Sequence, residues 1–272
     1  MSLSVDSSTA ALLPFNAVVL PLLNQTVVLE LLSKAAFDTS QIEQSLRQRV
    51  LQFCDDTTTL NLVGRQTPKY VQSIASLFKN VQEISVAQAE INEGYFRELS
   101  QFSRLKELKV FMSTITCFEA VQYLTQISTL DTLFFSNCEG IDDEALVHME
   151  VFNGLQNLSF ITCKKSIEED GVLDAKLITD TGAEYLTCLP ELRSLNLCES
   201  FIGDTTLLNV AARLKKLGTL SLSGCASITD AGVQALSCAQ TLRSLVVRDC
   251  SVSEAVCDDL ARQIAGIEVV RA

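Results

Sequence analysis

The stretch LGTLSLSGCASITDAGVQAL, Leu217–Leu236, decides the fold. Its opening places Leu217, Leu220 and Leu222 among small polar residues, the two-residue alternation of a half-buried strand. After Gly224 and Cys225 come Ile228, Val233 and Leu236, whose spacing belongs to a helix face. A strand period followed by a helix period inside twenty residues describes a strand, an inward turn and a returning helix. One such unit cannot bury its apolar side alone, so copies must stack.

Those copies are present. The triplet recurs as Leu105, Leu108, Val110; Leu130, Leu133, Phe135; Leu155, Leu158, Phe160; Leu192, Leu195, Leu197; and Leu242, Leu245, Val247. Middle leucines are 25 residues apart except from Leu158 to Leu195, where the step of 37 marks an insertion of 12. Val81, Ile84, Val86 and then Leu60, Leu62 extend the series upstream at steps of 24, and Ile267 with Val270 opens a truncated ninth copy. The predicted fold is an α/β solenoid, a horseshoe with a parallel concave sheet and convex helices. Nine strands at about 4.8 Å would give an inner face roughly 38 Å long.

Three residues past each triplet stands Cys138, Cys163, Cys225 or Cys250, with Ala89, Ser113 or Ser200 in other copies. A turn that brings the chain inward leaves a small buried slot there, which suits a thiol with a weak donor. Thr229 or Asp230 can cap the following helix, as can Asp142, Asp180 and Asp204 in theirs. The copies LGTLSLSGCASITDAGVQAL and LDTLFFSNCEGIDDEAL resemble the cysteine-containing class of leucine-rich repeats, as found in F-box/leucine-rich-repeat proteins and relatives without the F-box. The resemblance covers about Thr57 to Ala272. It implies that fold and, as an alternative function, substrate recognition within a cullin-type ubiquitin ligase.

The domain organisation follows: a helical cap over residues 1–55, then a solenoid of about nine repeats over 56–272 with an insertion near 165–177. The first 55 residues lack the repeat. Ser40 and Glu43 form a capping box before Ile42, Leu46 and Val50, predicting a helix from Gln41 to Phe53. A second helix is expected around Thr26 to Leu32. The Leu-Pro start at Leu13–Pro14 raises an F-box in Ser2–Leu32 as the other reading, against which stand the absence of tryptophan and the interrupting Pro21. The insertion, KSIEEDGVLDAK, reads as an acidic solvated loop or as a contact for a basic partner. At the far end IEVVRA stops on a strand, whose edge is either blunted by Arg271 or paired with another chain.

Composition limits the function. The chain has 272 residues, 47% of them hydrophobic, and a net charge of -12 without a basic cluster, which disfavours nucleic acid. The apolar run Ala10–Leu23 is broken by Pro14, Asn16 and Pro21 and is too short to insert in a membrane. Ten cysteines in a leucine-cored chain read as reduced thiols of the cytoplasm, nuclear or cytoskeletal association being compatible. No phosphate loop, dinucleotide motif, nucleophile elbow or CxxC pair occurs, and His148 is the one histidine. Neither catalysis, metal nor cofactor is expected.

That leaves surface recognition by a non-catalytic adaptor or scaffold subunit of a multi-protein complex. Strand alternation turns Lys109, Phe111, Met112, Phe134, Ile161, Glu199, Arg248 and Asp249 toward the concave face. Phe111, Met112, Phe134 and Ile161 cluster there as apolar anchors. Lys109, Glu199, Arg248 and Asp249 are the polar candidates for specificity.

Overall fold

The computed structural model describes residues 51–169 and 172–271. Leu51 to Asp56 are helical, matching the end of the helix expected from Gln41; its beginning, the Thr26–Leu32 helix and the candidate F-box lie outside the described residues. The chain divides into two compact units, Met1–Asp56 and Thr57–Ala272.

In the second unit nine strands form one sheet, every neighbouring pair parallel. They are β1 (Thr59–Val63), β2 (Glu83–Ala87), β3 (Glu107–Phe111), β4 (Thr132–Ser136), β5 (Asn157–Ile161), β6 (Ser194–Asn196), β7 (Thr219–Ser221), β8 (Ser244–Val246) and β9 (Glu268–Val270). The middle residues align in register from Leu60 through Ile84, Leu108, Leu133, Leu158, Leu195, Leu220 and Leu245 to Val269. The leucine triplets therefore locate the strands, with one correction. Val269, not Val270, lies opposite Leu245, so the last copy repeats after 24 residues and Ile267 falls outside the triplet position.

Each return segment lies on the other side of the leucines: α1 (Pro68–Leu77), α2 (Glu93–Leu99), a 3-10 run Phe118–Gln126, α3 (Asp143–Leu146), α4 (Asp180–Leu186), α5 (Asp204–Arg213), α6 (Asp230–Ala235) and α7 (Glu254–Gln263). Their inward residues, such as Val71, Phe96, Leu124, Leu186, Leu207, Val233 and Leu260, are buried with the strand leucines. Where the third triplet position is phenylalanine the core stacks. Phe135 and Phe160 lie 5.3 Å apart with planes at 8°, and Phe118 packs 5.7 Å from Phe135. Each aromatic pair adds about 0.5–1.5 kcal/mol beyond burial.

The cysteines fill the expected slot. Sγ of Cys138, Cys163, Cys225 and Cys250 donates to the carbonyl of Val110, Phe135, Leu197 and Leu222, the third core residue of the preceding repeat. Burial pushes the Cys225 thiol up to about 12. A hydrogen bond with Cys138, together with burial, raises Cys163 beyond the usual thiol range. All ten cysteines are free thiols.

The helix starts bear out Thr229 and Asp142 as caps and correct Asp180 and Asp204, whose helices are capped at Thr179 and Gly203. Thr179 and Thr229 are the N-caps, their Oγ accepting from the N–H of Thr181 and Ala231, while Asp142 caps α3 as expected. The aspartates after those caps reach the next repeat instead. Asp143 accepts from N–H and Oγ of Thr179 at 2.7 and 2.6 Å, and Asp204 does the same for Thr229 at 2.8 and 2.7 Å. Asp230 accepts from Ser253 at 2.6 and 2.7 Å, and Asp180 from the N–H of Gly203 and Thr206 and the Thr206 hydroxyl. A Cβ on Gly182 or Gly232 would collide with the incoming Asp143 or Asp204. The sequence Thr-Asp-x-Gly thus has three jobs: the threonine receives one carboxylate, the aspartate supplies the next, and the glycine leaves room.

The insertion is not a loop. Lys164–Glu169 and Val172–Leu177 pair antiparallel in register from Lys164 opposite Leu177 to Glu169 opposite Val172. Glu139 holds its base through the N–H and hydroxyl of Ser166.

Candidate functional site

On the sheet face opposite the helices, side chains form rows fixed by register. The middle row runs Asn61, Ser85, Lys109, Phe134, Ser159, Asn196, Ser221, Val246, and the row beyond it begins Val63, Ala87, Phe111, Ser136, Ile161. Phe111 and Phe134 are diagonal neighbours, since Phe134 lies opposite Lys109 and Phe111 opposite Ser136. Their rings meet at 5.3 Å and 46°, and both remain half-buried with no element laid over them among the described residues. Ile161 completes the group through Ser136. The sequence reading missed Val63 as a member; on the same row at β1 it is 59% exposed.

The polar candidates separate. Lys109 is not a free cation: Nζ lies 2.7 Å from Glu83 Oε1 and 3.1 Å from Glu107 Oε1. The hydrogen bond to Glu83 is the chief cause that raises its pKa. Arg248 and Asp249 are exposed beside β8, three strand steps from Ile161, or about 14 Å, so they are not part of the apolar group.

Met112, Glu199 and Asp249 occupy a position the alternation rule does not describe. The residue that ends each strand segment adopts positive φ in eight successive repeats: Gly64, Gln88, Met112, Asn137, Thr162, Glu199, Gly224 and Asp249. This left-handed step takes the side chain off the strand alternation, and Met112 is 57% exposed. Met112 lines a rim groove of about 360 Å³ with Arg65, Gln88, Ala89, Glu90 and Thr114. Glu199 accepts from the Thr162 hydroxyl at 3.1 Å.

Two serines of the open face are buried, Ser136 and Ser159, and Ser159 Oγ has no partner among the described residues. His148 lines a cleft of about 270 Å³ with Cys117, Glu119, Asp142 and Glu144. The Cys117 thiol, raised by burial and by its hydrogen bond to Glu119, is not an activated nucleophile. No group of three or more His, Cys, Asp or Glu among the described residues is arranged to hold a metal ion. No helix among them is long and apolar enough to cross a membrane.

No family model and no curated protein matches this sequence. Among solved structures the chain is similar to an internalin (inlF) from Listeria monocytogenes, with 12% identity and a TM-score of 0.49. The match covers 81% of this chain and 62% of the internalin, so the chain spans less than two thirds of that protein's length.

Proposed function

We propose that this chain is a non-catalytic protein-interaction module, an adaptor or scaffold subunit of a larger assembly, which binds its partner on the open, concave face of the sheet. The observation that carries the reading is the partly exposed Phe111–Phe134 ring pair, on the same face as Ile161 and the exposed Val63. A leucine-rich core buries apolar side chains efficiently, and aromatic rings left uncovered on the opposite face are the usual energetic centres of an interface. The buried thiols of Cys138, Cys163 and Cys225 serve packing between repeats. Ten free cysteines suit a reducing compartment, and we place the protein in the cytoplasm.

Affinity purification of the tagged full-length protein tests this. The variant Phe111→Ala, Phe134→Ala should lose the partner set that wild type captures. Leu208→Ala, which removes a 56% exposed apolar side chain on α5, should keep it. Equal recovery by all three would refute the face assignment. The ligase alternative has its own signature, a cullin adaptor that disappears when residues 1–32 are deleted.

A further inference from the structure

We propose that the open face takes a basic amphipathic α-helix laid across the strands, its apolar stripe seated on the line Val63, Ala87, Phe111, Ile161 beside Phe134. The inference rests on the protein-binding reading of that face and specifies the occupant.

Spacing selects a helix. Register carries the line from Val63 to Ala87, Phe111, Ser136 and Ile161 in four steps, each of about 4.8 Å. A helix repeats its stripe once per turn, about 5.4 Å, so over four steps it slips by roughly 2.4 Å. An extended segment repeats its face about every 6.8 Å and slips by roughly 8 Å, more than one strand. A helix of about 13 residues spans the line, and an extended peptide crosses out of register with it.

Charge selects its flanks. On one side the adjoining row carries Lys109, and a row farther out Glu83 and Glu107 set two carboxylates against that one ammonium. On the other side stand Glu90 and Glu199, both exposed, against Arg65. Farther along the rim Glu139 accepts from Ser166, and Lys164 is exposed. The line itself is uncharged, and the chain carries a net charge of -12. An apolar stripe with lysine or arginine on both shoulders complements this surface, and glutamate shoulders would oppose it.

The test uses three fluorescein-labelled 18-residue peptides against the full-length protein: leucines at helical spacing with lysine flanks, the same leucines with glutamate flanks, and lysine flanks with the leucines scrambled. Fluorescence anisotropy should show the first binding about tenfold or more tighter than either control at low salt, weakening several-fold when salt screens the flanks. Phe111→Ala, Phe134→Ala should lose that binding. So should Val63→Lys, whose side chain is exposed enough to leave folding untouched. Equal binding of the scrambled peptide, equal binding of the glutamate peptide, or indifference to both variants would each overturn the proposal. If no helix binds while partner capture still depends on Phe111 and Phe134, the occupant is wrong and the face stands. If capture is indifferent too, both readings fall.

Discussion

Replacing Gly232 with alanine should destabilise the protein, against the direction that helix propensity gives. Within a helix, glycine to alanine ordinarily stabilises by about 1 kcal/mol. In α6, however, the new Cβ would overlap the Asp204 carboxylate, 2.9 Å from Cγ and 3.0 Å from Cα. The carboxylate can swing away only by breaking its bonds to the Thr229 N–H and hydroxyl, at 2.8 and 2.7 Å. Thr229 is exposed, so water replaces part of that loss and the two bonds together count for roughly 1 kcal/mol rather than the full value of charge-assisted pairs. Contact with the Asp204 backbone adds overpacking of about 1–3 kcal/mol. The sum, set against propensity, is a net loss of about 1–3 kcal/mol. For a chain of this size that lowers Tm by about 2–4 °C per kcal/mol in a thermal melt. A double-mutant cycle with Asp204→Ala isolates the cause, because removing the carboxylate should recover part of the Gly232→Ala penalty. A stabilised Gly232→Ala, or a cycle with no coupling, would refute the account of the Thr-Asp-x-Gly sequence.

Leu222→Ala, which empties a fully buried site, should cost about 2–5 kcal/mol by chemical denaturation, whereas Phe111→Ala, Phe134→Ala should cost little beyond the roughly 1 kcal/mol of the ring pair. Equal losses would show that the two faces of the sheet have been exchanged. Ser200 occupies the thiol slot with a buried hydroxyl that has no partner among the described residues, so Ser200→Cys should raise stability by about 1 kcal/mol, read from the same denaturation midpoint. The backbone and hydroxyl hydrogen bonds from Ser253 hold the Asp230 carboxyl below its ordinary value. Its contribution is therefore complete above the unfolded carboxylate pKa and lost as pH falls through the lower folded one. Stability measured against acid pH should show a shallower loss in Asp230→Asn than in wild type, and parallel curves would rule the contribution out.

The strand positions were legible because burial demands leucine at each triplet and the parallel register keeps every triplet in one row. The 25-residue spacing alone places Leu108, Leu133 and Leu158 opposite one another. The rim was not legible. A left-handed residue follows every strand from β1 to β8, yet glycine marks it only at Gly64 and Gly224. Where the backbone is imposed by the turn, methionine, threonine and glutamate accept it, and alternation alone does not fix where Met112, Glu199 and Asp249 point. The ion pairs of Lys109 were not legible either: its partners Glu83 and Glu107 lie 26 and two residues away, and only register brings them onto one ammonium. The hairpin at 164–177 did carry a signal, the Asp-Gly dipeptide at 170–171 between paired apolar and polar residues, which acidic composition obscured.

Two kinds of coupling run along the repeat array and overlap around β4 and β5, where the proposed site ends. From β1 to β5 the strands are five residues long, and Phe118, Phe135 and Phe160 stack between repeats. From β6 to β9 the strands shorten to three, and a carboxylate chain that starts at Asp143, after β4, and runs through Asp180 and Asp204 to Asp230 ties each helix start to the next. Short strands leave fewer ladder bonds per repeat, which the carboxylates replace on the helix side. The consequence bears on binding. Phe111, Phe134 and Ile161 stand on long strands over an aromatic core, so the open face there is positioned chiefly by apolar packing, to which the Lys109 pair with Glu83 adds a tie between β2 and β3. A rigid apolar line of this kind holds its side chains at strand spacing before a partner arrives, which reduces the ordering cost that association must overcome.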